Sequence, residues 1–310
     1  HFNLLNYLIF LFIMYRVLLY YKYTKIENPE FFAEEHLGYC RDLGLRGRIL
    51  ISPEGINGTC SGSFSQTEKY MAHMRLDPRF KDLWFKTDEV KGHVFKKMHV
   101  RYKQELVTFR LPEDLDPNEI TGEHLEPAQW LEKMQEEDVI ILDGRTDYEF
   151  DLGHFKNAIR PPLKSFREFP EWVETDFLKF KDKKVLTYCT GGVRCEKLSG
   201  YLKSKGFKNV YQLNGGIVNY SQDPDVKGKL FEGKCYVFDE RISIPVNFAD
   251  EYTVTGKCLH CGTPTDRYVN CANLDCHKQH FECETCEEKW ARSCSEDCMN
   301  APRHELLQNV

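Results

Sequence analysis

Eight of the thirteen cysteines in this 310-residue chain are crowded into residues 258–298. They form four close pairs: Cys258 and Cys261, Cys271 and Cys276, Cys283 and Cys286, and Cys294 and Cys298. Four thiolates complete one tetrahedral zinc site, so this spacing predicts two structural zinc ions in a small module over residues 251–303. Because so short a segment buries little core, metal binding would supply much of its stability.

The spacing leaves open how the pairs share the two ions. Neighbouring pairs can each complete a site, or the first pair can join the third and the second the fourth; we favour the interleaved arrangement. His260, His277 and His280 are possible substitutes, but eight cysteines already fill two sites. A closed four-thiolate site has no open coordination position, which indicates structural zinc. The alternative to zinc binding is that these cysteines are free or linked by disulfides. A disulfide framework is typical of short secreted chains, and this chain is long. We therefore expect a cytoplasmic protein with reduced cysteines.

Residues 14–110 alternate short strands and helices in the order β-α-β-β-α-β, which predicts a ferredoxin-like α+β domain. The expected elements are strands over 15–23, 46–52 and 83–87, helices over 29–41 (capped by Asn28) and 65–76, a turn at Gly55–Gly58 before a hairpin strand, and a strand pair over 95–109. Residues 111–128 are acidic and contain three prolines, which predicts a linker.

A second α/β pattern occupies residues 129–225. Continuous apolar strands over 139–142, 184–188 and 210–213, with a helix over 196–205, predict a parallel, doubly wound sheet covered on both faces. Residues 226–250 are expected to form an extended connection to the cysteine-rich module. The chain is therefore predicted to be an α/β multidomain protein.

The first thirteen residues are apolar and uncharged. They lack the charged start and cleavage site of a secretory signal and are too short to span a membrane. We expect this leader not to be native and Met14 to be the natural start. No membrane partner is expected for the rest of the chain.

The net charge of −6 hides an asymmetry along the chain. Residues 14–110 carry 17 Lys and Arg against 12 Asp and Glu, whereas the remainder carries 25 against 36. A basic front domain is compatible with a polyanion bound at one end. Ordinary scatter of charges would give the same balance.

The strand KVLTY leads directly into Cys189 and then into the loop Thr190, Gly191, Gly192, Val193 and Arg194, at the start of a helix. Backbone N–H groups and the positive end of the helix dipole converge there, and both favour a thiolate. The two glycines let the backbone curl around the sulfur. A buried structural cysteine would need neither the glycines nor the arginine, so we interpret Cys189 as a nucleophile. Cys195 is either a resolving thiol or, as we favour, a packing residue.

Two separated blocks closely resemble a rhodanese domain. They are Asp143-x-Arg145, Glu149, Gly153-His154 and Ala158, followed by Cys189-x4-Arg194 and Gly215-Gly216. The resemblance implies a doubly wound α/β fold in which Cys189 forms a persulfide. It also implies that Asp143 and Arg145 brace the loop and take no part in catalysis.

The resemblance extends over nearly the whole chain from Met14. RGRILISPEGINGTCSG (residues 46–62), the basic stretch over 96–103 and CTGGVRCEK (residues 189–197) together resemble the rhodanese-domain tRNA uridine hydroxylases. Members of that family use molecular oxygen to hydroxylate C5 of the wobble uridine, position 34 of tRNA. The resemblance implies O2 as co-substrate and the tRNA anticodon loop as partner. The candidate phosphate contacts are Lys96, Lys97, Arg101 and Lys103.

Several alternatives remain open from the residues alone. Cys189 can act as a thiolate that adds to C6 of uracil, or as a persulfide. The chain can instead be a sulfurtransferase, or a zinc-bearing adaptor, although the complete loop disfavours the adaptor. No flavin, haem, nicotinamide or 2-His-1-carboxylate pattern is apparent, so no residue is assigned to oxygen activation. The oligomeric state is not indicated.

Overall fold

The structure is a computed structural model that describes residues 14–111 and 115–306. The predictions for residues 1–13 lie outside the described residues. Among the described helices, none has both the length and the apolar character needed to cross a membrane.

Within residues 14–111, five strands and two α-helices form the N-terminal domain. They are β1 (Tyr15–Tyr23), α1 (Pro29–Asp42), β2 (Arg46–Ser52), β3 (Gly55–Ser63), α2 (Phe64–Leu76), β4 (Lys86–Val90) and β5 (Met98–Tyr102), with a 3-10 turn at Pro78–Phe80. The sheet order is β4-β1-β3-β2-β5, and β5 is parallel to β2. The first four strands have the ferredoxin-like arrangement, which confirms the predicted fold.

Local sequence explains where the two long helices begin. Ser63 and Gln66 form a reciprocal capping box at the start of α2, with Gln66 N donating to Ser63 Oγ over 3.3 Å and Ser63 N donating to Gln66 Oε1 over 2.8 Å. Pro29 stands in the first turn of α1, where its missing N–H has no cost. Asn28 precedes it as predicted, but its side chain makes no capping hydrogen bond.

The predicted turn at Gly55–Gly58 lies inside β3, and the turn is formed by Pro53 and Glu54. Gly55 has φ of 144°, and a Cβ there would stand 2.0 Å from the carbonyl oxygen of Lys22 on β1. This glycine therefore permits close approach of two strands.

Two other strand predictions in this domain are wrong in detail. Residues 95–109 contain one strand, β5, where a pair of strands was predicted. β5 pairs in parallel with β2 and has no hairpin partner within this segment. The last predicted strand begins at Lys86 and not at Leu83. Leu83 and Phe85 instead fill the core, with 3% and 7% of their surface exposed.

The following strands and helices build the central part of the chain. They are β6 (Glu123–Leu125), α3 (Pro127–Lys133), β7 (Val139–Asp143), α4 (Asp147–Leu152), β8 (Gly153–Phe155), α5 (Phe169–Trp172), β9 (Lys184–Tyr188), α6 (Val193–Ser204), β10 (Asn209–Leu213) and α7 (Gly216–Gln222). A π-helical turn at Val173–Phe177 lies between 3-10 turns at Phe166–Glu168 and Leu178–Phe180. Strands β6, β10, β9 and β7 form a parallel sheet in that order.

Neighbouring residues of each central strand enter different cores. Ile141 and Leu186 pack into one hydrophobic cluster, whereas Leu142 and Val185 pack into another. Both faces of the sheet are therefore covered, and the doubly wound fold is confirmed. The segment predicted as a linker, 111–128, is not all linker. Its β6 pairs in parallel with β10 and becomes the edge of the sheet.

The C-terminal part contains two small sheets. It comprises β11 (Phe231–Tyr236), β12 (Ser243–Pro245), β13 (Tyr268–Asn270), β14 (Gln279–Phe281), α8 (Glu284–Trp290) and α9 (Glu296–Met299). Within the predicted extended connection, β11 pairs with β8 and β12 and so attaches this part to the central domain. The hairpin of β13 and β14 lies among the clustered cysteines.

Candidate active site and metal clusters

Cys189 lies directly after β9, where the loop turns into α6. Gly192 ends that loop with φ of 105°, a conformation that favours glycine, and donates its N–H to the Cys189 sulfur over 3.2 Å. Only 1% of Cys189 is exposed. The sequence thus places the thiol at the N-terminus of a twelve-residue helix, surrounded by backbone donors.

The surroundings of Cys189 favour its ionised form. Burial opposes ionisation, but a hydrogen bond from the Cys195 side chain, the charge of Arg194 and the backbone N–H groups of both residues together lower the pKa of Cys189 to about 5. Burial and the neighbouring thiolate raise the pKa of Cys195 well above its usual range. The loop therefore holds a thiolate at neutral pH, with Cys195 protonated beside it.

Arg194 is fixed by a buried carboxylate. Its two terminal nitrogens donate to Glu149 over 2.8 and 2.9 Å, and one of them also reaches Thr190 Oγ1 at 3.3 Å. Burial raises the pKa of Glu149, but the charge and hydrogen bonds of Arg194 outweigh it and hold that pKa at about 2. Thr146 donates a further hydrogen bond to the same carboxylate over 2.8 Å. The arginine is thus held in one orientation beside the thiolate.

Asp143 and Arg145 form a second buried pair at the end of β7. Arg145 donates from Nε and Nη2 to the carboxylate over 2.9 and 2.7 Å, and from Nη2 to the Gly153 carbonyl over 2.6 Å. Tyr188, which precedes Cys189, donates to Asp143 Oδ2 over 2.6 Å. Both side chains are fully buried, which is the position expected of residues that brace the loop.

A cavity of about 290 Å³ separates the Cys189 loop from the N-terminal sheet. Its sheet wall consists of two cross-strand rows, each with one residue from β1, β3 and β2. The rows are Leu19, Thr59 and Arg48, and Tyr21, Asn57 and Leu50. Alternation along each strand sends the opposite side chains, such as Tyr20 and Ile49, into the core. Phe95 and Phe238 complete the wall.

Three direct contacts hold the two domains around this cavity. Tyr21 donates to Glu196 Oε1 over 2.8 Å, and Tyr23 donates to the Val193 carbonyl over 3.2 Å. Lys197 Nζ lies 2.6 Å from Glu54 Oε2, with 1% and 14% of the two side chains exposed. These contacts join β1 and Glu54 of the N-terminal domain to the first residues of α6.

Two of the four predicted phosphate contacts lie at an open groove of about 500 Å³ beside the cavity. The groove and the cavity share Arg48, Phe95 and Phe238. Lys96 and Lys97 line the groove, and the Lys96 ammonium is 3.7 Å from Glu240.

Arg101 and Lys103 are exposed further along the same segment, outside the groove lining. The structure thus brings two of the four predicted cations to the cavity entrance.

The eight clustered cysteines form two groups of four in the described residues. One contains Cys258, Cys261, Cys283 and Cys286, and the other contains Cys271, Cys276, Cys294 and Cys298. Within each group the sulfurs lie within 4.8 Å of one another, so each group could hold one metal ion, in keeping with four-cysteine zinc sites. The first pair joins the third and the second joins the fourth, so the interleaved arrangement is correct.

The structure also contains a third cluster of potential metal ligands, which was not apparent from the sequence spacing. His260, His280 and Glu282 place one possible ligand atom each within 4.8 Å of one another. No 2-His-1-carboxylate pattern is apparent in the sequence, and the structure is what brings these two histidines and one carboxylate close together. Backbone folding around the first cysteine group brings these side chains together, although His260 lies far from the other two in sequence.

Comparison with known proteins follows the same three-part division. The UPF0176 acylphosphatase like domain matches residues 15–106, the Rhodanese-like domain matches 127–223, and the Rhodanase C-terminal model matches 232–299. A Bacillus licheniformis protein named tRNA uridine(34) hydroxylase is 59% identical over 290 residues, which cover 94% of this chain and 90% of the relative. The chain belongs to the tRNA uridine(34) hydroxylase family.

A second family relative, from Bacillus cereus, is 57% identical over 293 residues, covering 94% of this chain and 92% of that protein. Among solved structures, the rhodanese-like domain of the Alr3790 protein from Anabaena sp. is 21% identical, with a TM-score of 0.30. That match covers 44% of this chain and 94% of the Anabaena chain.

The cavity wall adds residues that sequence reasoning had not assigned to the site of this family member. Arg48, Asn57 and Thr59 lie within RGRILISPEGINGTCSG, the segment that carried the family resemblance, so a signal for them was present. Phe238 lies in the predicted connection, and only its packing against the loop identifies it. Tyr21 is one of several tyrosines in β1, and its contact with Glu196 spans 175 residues of chain.

Proposed function

We propose that this chain hydroxylates C5 of the wobble uridine of tRNA, with O2 as co-substrate, to give 5-hydroxyuridine. The observation that carries the proposal is the cavity of about 290 Å³ that the thiolate-forming Cys189 shares with the N-terminal sheet. Two closely related proteins that bear the hydroxylase name support the choice of substrate. A tRNA substrate also favours a cytoplasmic location.

The cavity suits a single pyrimidine base. Its volume is close to the lower limit of the roughly 300–1,000 Å³ range of small-molecule sites. Phe95 and Phe238 offer aromatic faces for stacking, and the side chains of Arg48, Asn57 and Thr59 offer polar partners for the uracil edge. A base in an anticodon loop is already unpaired, so turning it into such a pocket costs little.

In the proposed reaction, the Cys189 thiolate adds to C6 of uracil. The new sulfur–carbon bond moves the electron pair of the C5–C6 bond to C5, as an enolate. O2 oxidises that carbon and, with one proton, gives a C5 hydroperoxide. Two equivalents of a thiol reductant convert the hydroperoxide to a hydroxyl, with release of water and a disulfide.

Loss of the C5 proton then expels the thiolate and restores the C5–C6 double bond. The low pKa of Cys189 supports both steps, because the same group must attack and leave as a thiolate. Arg194 remains charged beside the sulfur throughout, since Glu149 holds it in place.

Lys96 and Lys97 are proposed to contact phosphates of the anticodon loop at the cavity entrance, with Arg101 and Lys103 further along the backbone path. Replacement of Lys97 by Ala should weaken tRNA binding and reduce the slope of log K against log salt by about one unit. Filter binding at several salt concentrations measures both. Lys179→Ala, a surface change in the central domain away from the groove, is the control.

Nucleoside mass spectrometry of tRNA tests the activity. Cells that lack the protein should lose 5-hydroxyuridine-type wobble nucleosides, and the wild type but not Cys189→Ser should restore them. Unchanged nucleosides in all strains would overturn the proposal.

A second experiment tests the covalent step. RNA with 5-fluorouridine at the wobble position should form an adduct on Cys189 that peptide mass spectrometry detects. Absence of the adduct, together with efficient sulfur transfer from thiosulfate through a Cys189 persulfide, would favour the sulfurtransferase alternative.

A further inference from the structure

We infer that His260, His280 and Glu282 form a third metal site, which binds a divalent transition metal ion independently of the two cysteine groups. Their candidate ligand atoms lie within 4.8 Å of one another. His280 is 4% exposed and Glu282 is fully buried. This site is separate from the proposed hydroxylation at Cys189.

Strand alternation and a turn build the site. His280 lies in β14 and Glu282 follows the last residue of that strand, so the alternation of side chains places both on the same face. His260 lies on the turn between Cys258 and Cys261, and the backbone bond from Leu259 N to the Phe281 carbonyl, 2.8 Å long, holds that turn against the strand. The His260 ring stacks on Trp290 at 4.3 Å between centroids.

Buried polar atoms without hydrogen-bond partners indicate that this cluster binds a ligand. Both ring nitrogens of His280 and both carboxylate oxygens of Glu282 are buried without a hydrogen-bond partner among the described residues. Nε2 of His260 and of His280 lie 3.4 and 3.7 Å from the carboxylate oxygens. Burying such groups unpaired is unfavourable, and a cation shared by His280 and Glu282 would satisfy them.

The donor set indicates the class of metal. Two imidazoles and one carboxylate suit Zn²⁺, Fe²⁺ or Co²⁺, while the thiolates nearby belong to the cysteine groups. His260 Nε2 lies 3.0 Å from the Ser293 carbonyl, so a metal ion bound at this nitrogen would replace that contact.

Two arginines interact electrostatically with the carboxylate of Glu282. Arg267 pairs with Glu287 and Arg292 pairs with Glu305, so both positive charges have other partners. Neither arginine donates a hydrogen bond to the Glu282 carboxylate, whose two oxygens have no hydrogen-bond partner among the described residues.

Metal analysis of the full chain tests the inference. Protein isolated with its cysteine-bound zinc should bind one further equivalent of Co²⁺, and that equivalent should lack the thiolate-to-cobalt charge-transfer absorption of a cysteine site. Glu282→Gln and His280→Ala should each lose this equivalent and keep two zinc ions. His277→Ala, which changes an exposed histidine of the same module, should behave as wild type.

A second measurement leaves the three proposed ligands unchanged. Because Trp290 stacks on His260, bound Co²⁺ should quench tryptophan fluorescence, and Trp290→Phe should remove most of that quenching. Absence of a third equivalent in wild type would overturn the inference. A third equivalent that both variants retain would overturn it equally, because the ion would then lie elsewhere.

Discussion

Replacement of Arg194 by Gln should move the ionisation of Cys189 toward that of an ordinary thiol. The pKa of Cys189, about 5, lies below the usual ~8.5, and the difference corresponds to about 5 kcal/mol in favour of the thiolate. A neighbouring opposite charge contributes about 1–3 pKa units. The variant should therefore titrate between about 6 and 8, and at pH 6 the thiolate fraction should fall from about 90% to between about 50% and 1%.

The rate of alkylation by iodoacetamide, followed by peptide mass spectrometry, measures this titration. Below the folded pKa the thiol is protonated and slow to react, so the rate should rise with pH around a midpoint of about 5 in wild type. Cys40 and Cys235 should not react in this range, since burial raises the pKa of Cys40 to about 12 and of Cys235 to about 11.

Two variants separate the charge effect from loss of structure. Arg194→Gln leaves the buried Glu149 carboxylate without its ion-pair partner, so Arg194→Gln with Glu149→Gln should recover stability while the Cys189 midpoint stays high. Arg160→Gln removes a surface arginine of the same domain that pairs with Asp151 and should leave the midpoint unchanged. An identical midpoint in wild type and both Arg194 variants would refute the reasoning.

Two further predictions concern stability and metal content. Lys197→Met should lower the free energy of unfolding by about 3–5 kcal/mol, because it removes the ammonium that lies 2.6 Å from Glu54. Adding Glu54→Gln should recover much of that loss, as measured by urea denaturation. Equal losses in the single and double variants would contradict this. Cys258→Ser with Cys283→Ser should remove one zinc ion, whereas Cys258→Ser with Cys271→Ser should disturb both, as measured by metal analysis; the reverse pattern would indicate sequential pairing.

Features with a local cause could be predicted from the sequence. The strand that ends at Cys189, the two glycines and the following helix are contiguous, so their juxtaposition needs no distant contact. The same holds for β1, β2 and the close cysteine pairs. The turn predicted at Gly55–Gly58 was wrong because its cause is not local. The role of Gly55 depends on the close approach of Lys22 from another strand.

The sequence by itself determined the chemistry available to the chain: a cysteine at a helix N-terminus, eight thiols in pairs, and a basic first domain. The tertiary structure decided which of these groups face one another. Three features join residues that are distant in the chain. They are the cavity wall at Tyr21 and Thr59, the interleaved grouping of the cysteine pairs, and the proximity of His260 to Glu282. Local spacing carries no signal for such contacts, because they depend on how sheets and hairpins pack after they form.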